Sequence, residues 1–412
     1  MAVTDISQIK QHKRAQKLKK LLKKLLVLLI VLSVIATVYF TRSLWYPMLD
    51  GIAGRLPSVT SGSKNSGELA EGNFPIKITG GTAYQVGSIG NCLMLLADTH
   101  YYIYDLDGKL LSESQHTYAN PVMSAEQKRA IVYDLGGKSF RLVSKNNVIF
   151  EKTLDDAIVF ARLSGNGNCA VVTKSDTYLA VLTVYDSTGK EIFYYKSYDG
   201  RITDVSFTLN GDGCIINMLD AGGGQLLSTL ERFRFTEEKS VWKSDSLDTM
   251  TISAVPMYDG TIVAVGDTKC AYYDKLGVNT GCYDYKYDLI GYSCSNELTA
   301  LLFSNQERRH TRLVLISDIS AQPVELDIDE ASHVFVERGA AYVLDDKSLT
   351  AYSSSGEAVD SVELESEYNN FHRLGNYIYL LGYDEINRID FAVDQDSLQQ
   401  TEQTTQTDEL SE

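Results

Sequence analysis

The 412-residue chain carries 54 acidic and 38 basic side chains, 44% hydrophobic residues, 30 Gly, 26 Tyr and only 6 Pro. That composition excludes a disordered protein, and a net charge of −16 argues against a general nucleic-acid binder, which needs Lys and Arg clustered on its folded surface. The length suits two or three average domains unless a repeat fold organises it.

The charge is unevenly placed. Residues 1–24 hold eight Lys or Arg against the single acid Asp5, a charge of +7 that leaves −23 on the remainder. Residues 25–41 (LLVLLIVLSVIATVYFT) then run 17 positions without a charge and are closed by Arg42, Trp45 and Tyr46. That run is just long enough to span a bilayer. Lysines on one side and an aromatic pair on the other suit the two interfaces, and the positive-inside rule puts the N-terminus in the cytoplasm. A cleaved signal peptide is the rival, but Val38, Tyr39 and Phe40 stand where small residues would mark its cleavage site. The expectation is a basic cytoplasmic tail (1–24) and an uncleaved transmembrane signal-anchor helix (25–46), with the rest of the chain extracytoplasmic at the cell membrane. Residues 47–73, including SVTSGSKNSGELAEGN, read as a flexible tether. At the far end, residues 394–412 carry six acids, no base and no aromatic residue, and read as a disordered acidic tail.

Residues 74–393 are dominated by short alternating or β-branched runs such as NCLMLLAD, NCAVVTK, LAVLTVYD, TIVAVGD and NYIYLLGYD, separated by turn signals. This is an all-β pattern. One turn recurs: YDLDG (104–108), YDSTG (185–189), YDKLG (273–277) and YSSSG (352–356), at spacings of 81, 88 and 79 residues. Asp or Ser opens each turn and Gly supplies the positive φ of a bulged hairpin. Four-stranded propeller blades take about 40–45 residues, so each spacing is two blades. Degenerate turns fall between them at SKNN (144–147), FTEEK (235–239) and SDISAQ (317–322). The predicted fold is a single β-propeller, with eight four-stranded blades favoured and seven the alternative. Its last blade lacks an outer strand, which FPIKITG (74–80) supplies by pairing with EINRIDF (385–391), so that the two chain ends close the ring.

The order FPIKI, ADTHYYIYDLDGK, YANPVMS, RAIVYDLGGKSFRL and YLAVLTVYDSTGKEIFYYKS resembles an uncharacterised family of membrane-anchored propeller proteins of Gram-positive bacteria, a domain of unknown function with WD40- or quinoprotein-like architecture. The resemblance covers the anchor and nearly all of the propeller. It implies a surface-facing repeat protein with one membrane helix and supplies no catalytic residues.

The chemistry-bearing residues form no recognised constellation. The six Cys make no CxxC pair, the six His no HExxH, and neither GxSxG nor GxxxxGK[ST] occurs, so no catalytic, cofactor or metal residue is assigned. Cys92, Cys169 and Cys214 read as small core residues. Cys270 and Cys282 are equidistant from Leu276 in the YDKLG hairpin, an arrangement open to a disulfide as well as to free thiols. Tyr283, Tyr285 and Tyr287 alternate along one strand and share a face. They either pack on a neighbouring blade or form an aromatic platform for a glycan or peptide.

The favoured function is a protein-interaction or ligand-binding scaffold at the cell envelope, with an envelope or membrane protein as partner and no nucleic acid. A propeller hydrolase or lyase acting on cell-wall polymer, and a sensor needing a membrane partner, are the alternatives. A non-enzymatic role is preferred, and no cofactor is expected.

Overall fold

The computed structural model describes residues 67–78, 83–222, 224–304 and 310–393. The expected cytoplasmic tail, membrane anchor, residues 47–66 of the tether and the acidic tail lie outside the described residues. Among the described residues no helix is long and apolar enough to cross a membrane.

The described chain folds into 32 strands grouped in eight four-stranded antiparallel sheets. Seven sheets are consecutive in sequence: blades 1 to 7 span residues 85–115, 121–153, 158–197, 201–243, 251–284, 288–329 and 333–363. Blade 8 takes its inner three strands from residues 370–390, and its outermost strand is Ile76–Lys77, paired through Ile76 with Ile386 and Lys77 with Glu385. The eight-bladed count and the closure by FPIKITG both follow the sequence expectation.

The outermost edge of blade 8 begins earlier than residue 74. Leu69 bridges Ile389, Ala70 N donates to Arg388 O (2.8 Å), and the Leu69 side chain packs on the blade 7/8 core. Residues 67–73 therefore belong to the propeller and not to the tether. Their Gly- and Glu-rich composition hid one apolar anchor, Leu69, that docks on the closing strand.

Eight apolar clusters fill the eight gaps between neighbouring blades. Each second strand is buried on both faces and feeds two of them in alternation: Cys169 and Val171 point into the blade 2/3 cluster, Ala170 and Val172 into the blade 3/4 cluster. That two-sided burial is why these strands read as continuous apolar runs, CAVVT and IVAVG among them. Outer strands such as Leu110–Gln115 and Val324–Asp329 alternate in burial because only one face is covered.

Polar side chains join every blade to the next. From blade 1 onward the joints are Gln85 Nε2 to Pro121 O, Arg129 Nη1 to Asn166 O, Arg162 to Asp204, and Asn217 Nδ2 to Thr251 O. They continue through Asn296 Nδ2 to Pro256 O, Ser293 Oγ accepting Val336 N, and the Arg373–Glu337 ion pair. A hydrogen bond between Ser88 Oγ and His372 Nε2 (2.6 Å) completes the circuit.

The recurring turns have the chemistry their residues require. Asp105, Asp186 and Asp274 each accept two backbone N–H groups within the turn, and Gly108, Gly189, Gly277 and Gly356 all have positive φ. Each glycine also lies under an apolar side chain from the neighbouring blade edge: Phe74, Phe150, Trp242 and Val324 respectively.

Candidate interaction surface

Residues proposed from the sequence are placed as follows. A β-bulge between Tyr272 and Tyr273 shifts the hairpin register by one, so Cys270 faces Tyr283 and Cys282 faces Ala271. The two cysteines thus point to opposite sides of the sheet, and the Cys270–Cys282 disulfide does not form; both thiols are free. Cys270 is buried in the blade 5/6 core, where burial pushes its thiol pKa well up, and Cys282 is exposed. Tyr283 and Tyr285 pack on Phe303 of blade 6, with ring centroids 6.3 and 4.7 Å away, and Tyr283 OH donates to Glu325 Oε1 (2.9 Å). Tyr287 lies past the end of the strand, exposed, with the Arg312 guanidinium 5.3 Å from its ring.

A second tyrosine group is more open. The outer strand of blade 3, Glu191–Ser197 (EIFYYKS), sends Phe193 and Tyr195 into the blade 3/4 core against Phe233. Tyr194 and Lys196 point the other way, opposite Thr183 and Val181. Radial sheets diverge outward, so the face of an outer strand is left uncovered. Tyr194 is 47% exposed. Lys196 Nζ lies 4.8 Å from the Tyr178 ring centroid and 5.3 Å from that of Tyr194, and Tyr178 meets Tyr198 edge-on at 4.9 Å.

Local turns hold these rings in place. Ser175 Oγ accepts the N–H groups of Thr177 and Tyr178 (3.2 Å each), shaping the turn that carries Tyr178 and the exposed Leu179. Buried Ser197 Oγ donates to Gly200 O (2.5 Å), tightening the connection from which Tyr198 projects, 67% exposed. Hydrogen bonds from Tyr198 and Lys196 hold the Tyr178 phenol below its ordinary pKa, and the same contact with Tyr178 raises Lys196. The Lys196 ammonium therefore lies within cation–π reach of two tyrosine rings.

Blade 4 extends the surface. Its second and third strands, Gly213–Gly222 and Gln225–Arg234, are ten residues each, against four to seven in the other blades. In an antiparallel blade the turn between these strands and the connection to the next blade emerge at the same end. The hairpin tip, with Leu226 48% exposed, thus rises at the end of the propeller that bears Tyr178, Leu179 and Tyr198. On the other side of the Glu191–Ser197 strand, a groove of about 310 Å³ is floored by Phe193, Tyr195, Phe233 and Phe235 and rimmed by Glu237 and Glu238. The run KEIFYYKSY has the composition of a strand, but which tyrosine of its adjacent pair faces outward depends on the neighbouring blade and not on local composition.

Among the described residues no group of three or more His, Cys, Asp or Glu is arranged to hold a metal ion. Aromatic and aliphatic side chains grouped around one half-buried lysine, on a chain rich in acids, have the composition of a protein-contact surface.

Residues 73–391 match the profile of DUF5711, a family of unknown function. No curated protein matches the chain by sequence. Among solved structures, the chain is similar to BamB from Moraxella catarrhalis (9% identity, TM-score 0.51, 77% of this chain and 100% of that one). It is also similar to Saccharomyces cerevisiae Sqt1 (9%, 0.60, 80% and 100%) and to the C-terminal WD40 domain of Sif2 (12%, 0.55, 80% and 100%). At these identities the likeness is one of propeller fold.

Proposed function

The chain belongs to the DUF5711 family, and we propose that it is an extracytoplasmic interaction module, held at the cell membrane by its N-terminal apolar segment and presenting the blade 3 and 4 surface to an envelope or membrane protein. The observation that carries this reading is the group of half-buried Tyr178 with exposed Leu179, Tyr194 and Tyr198 around Lys196, joined at the same end by Leu226. Tyrosines supply large contact area at small entropic cost and dominate binding energy at interfaces. The rigid ring behind them keeps the surface preformed, which lowers the ordering cost of association. The charge-free run at 25–41 and the lysines before it support the membrane address and its orientation. Tyr287, backed by Arg312, is a further exposed ring suited to a peptide or glycan at the blade 5/6 edge.

The test is crosslinking in intact cells followed by identification of proteins recovered with the full chain, with its Tyr194→Ser/Tyr198→Ser double variant, and with the anchor alone. We expect a propeller-dependent partner whose recovery falls about 30-fold in the double variant, the equivalent of a hot spot worth about 2 kcal/mol, while the melting temperature changes little because both rings are exposed. Partner recovery unchanged in that variant overturns the reading of this surface. Surface labelling of intact cells checks the address: a propeller inaccessible from outside overturns the topology.

A further inference from the structure

The wall of the central channel holds an arginine whose hydrogen-bonding fork is only partly used. On the inner strand of blade 3, Ile158–Leu163, a bulge between Ile158 and Phe160 resets the alternation, so that Ala161 and Leu163 enter the blade 2/3 core while Arg162 turns toward the inner strand of blade 4. There Arg162 Nε donates to Oδ1 of Asp204 (2.9 Å). Asp204 is itself buried and is fixed by the Val205 backbone and the Ser253 hydroxyl as well as by Arg162. Desolvation nevertheless raises its pKa, the sign of a carboxylate held where water does not reach.

The geometry of this contact leaves a ligand-shaped remainder. Arg162 meets Asp204 through Nε, and its Nη1 reaches only the Ala161 carbonyl, at 3.4 Å. The Arg162 side chain is 42% exposed, and the Phe160 ring supports its guanidinium from 5.2 Å. The Nη edge is therefore oriented, braced and open to solvent. Tyr292, on the inner strand of blade 6, is 39% exposed; burial raises its phenol, and the charges of Asp204, which raises it further, and Arg162, which opposes, both act on it from across the ring of inner strands. A guanidinium anchored through Nε presents two parallel N–H groups, the complement of a carboxylate. A nearby phenol adds a donor for the same anion.

We propose that Arg162 and Tyr292 form a carboxylate-binding site in the central channel, with Asp204 as the positioning residue that aims the guanidinium. Asp204 cancels the net charge of Arg162, so recognition rests on the bidentate match and not on long-range attraction. This is compatible with the strongly acidic chain around it. The carboxylate comes either from an acidic side chain of a peptide entering the channel or from a small dicarboxylate, and the two are separable by experiment.

The full chain, solubilised in detergent, is titrated calorimetrically with succinate, with the peptide acetyl-Gly-Glu-Gly-amide, and with acetyl-Gly-Gln-Gly-amide as the uncharged control. Binding of succinate alone assigns a small dicarboxylate, binding of the Glu peptide alone assigns an acidic side chain, and the Gln peptide is expected to be silent. Arg162→Lys keeps the charge but loses the fork, and affinity is expected to fall tenfold or more. Tyr292→Phe, which leaves the ion pair intact, is expected to lose several-fold. Asp204→Asn tests positioning: weaker binding restored in part by Asp204→Glu supports it. The proposal is overturned if neither carboxylate binds the native chain, or if binding is indifferent to both Arg162→Lys and Tyr292→Phe. Should Arg162→Lys fail to fold, the native titrations and Tyr292→Phe decide.

Discussion

Gly277 of the YDKLG turn has a φ of 80°, and a β-carbon there would come within 2.4 Å of Trp242 Cε3. Two requirements meet at one residue: a left-handed backbone and room for the ring that covers the turn. Replacement by Ala is expected to cost about 2–3 kcal/mol, from backbone strain and displacement of Trp242 together. Gly136 has a φ of 79° but open space around the missing β-carbon, so Gly136→Ala is expected to cost only the strain, about 1 kcal/mol. Chemical denaturation of the two variants checks the difference. His372 carries a second residue-scale prediction. Burial lowers its pKa to about 4 from the ordinary 6.5, so the folded protein resists a proton that the unfolded chain accepts. Its contribution is full above about pH 6.5 and is lost as pH falls toward about 4, up to about 3 kcal/mol in all. His116 and His333 are lowered by burial as well and act in the same direction. Comparing stability at pH 7.5 and 4.5 should give a smaller acid loss in His372→Asn than in the native chain.

Ring closure is the element on which the fold most depends. Ile76–Lys77 joins the sheet of blade 8 at its outer edge, and Arg388 on the adjacent strand fastens blade 8 to blade 1. Its Nη1 donates to Leu106 O (2.5 Å) and meets Asp107 Oδ1 (3.3 Å), while its guanidinium lies 5.2 Å from Phe74 and 4.4 Å from Tyr377. Arg388→Ala should destabilise by about 2–4 kcal/mol, from lost hydrogen bonds to a charged group and lost stacking. Removing residues 67–78 exposes the edge of the Glu385–Asp390 strand and should abolish the cooperative transition seen by calorimetry, whereas loss of the acidic tail 394–412 should leave it in place. The turns that mark the blades were legible because Asp, Ser and Gly act on their own backbone within five residues. The bulges beside them were not. At Tyr272 and Tyr273 one extra residue separates the register that would pair Cys270 with Cys282 from the register that occurs.

The whole ring is a set of eight interfaces, each with an apolar cluster and a polar joint. The two proposed sites lie on different surfaces of this ring: the tyrosine group on blade 3 outside, and the Arg162 wall inside. The repeat spacing, the blade number and the closing pair FPIKITG with EINRIDF were legible in the sequence because each rests on local composition or on counting along the chain. Which of Tyr194 and Tyr195 faces solvent depends on how far the outer strand stands from the next blade. That Arg162 meets Asp204, 42 positions away, depends on two inner strands being set side by side by the blades behind them. By itself the sequence determined the architecture of this protein, since turn chemistry and hydrophobic period act over a few residues. Only the tertiary structure decided the candidate sites, because register, exposure and the meeting of distant side chains are set by packing between blades.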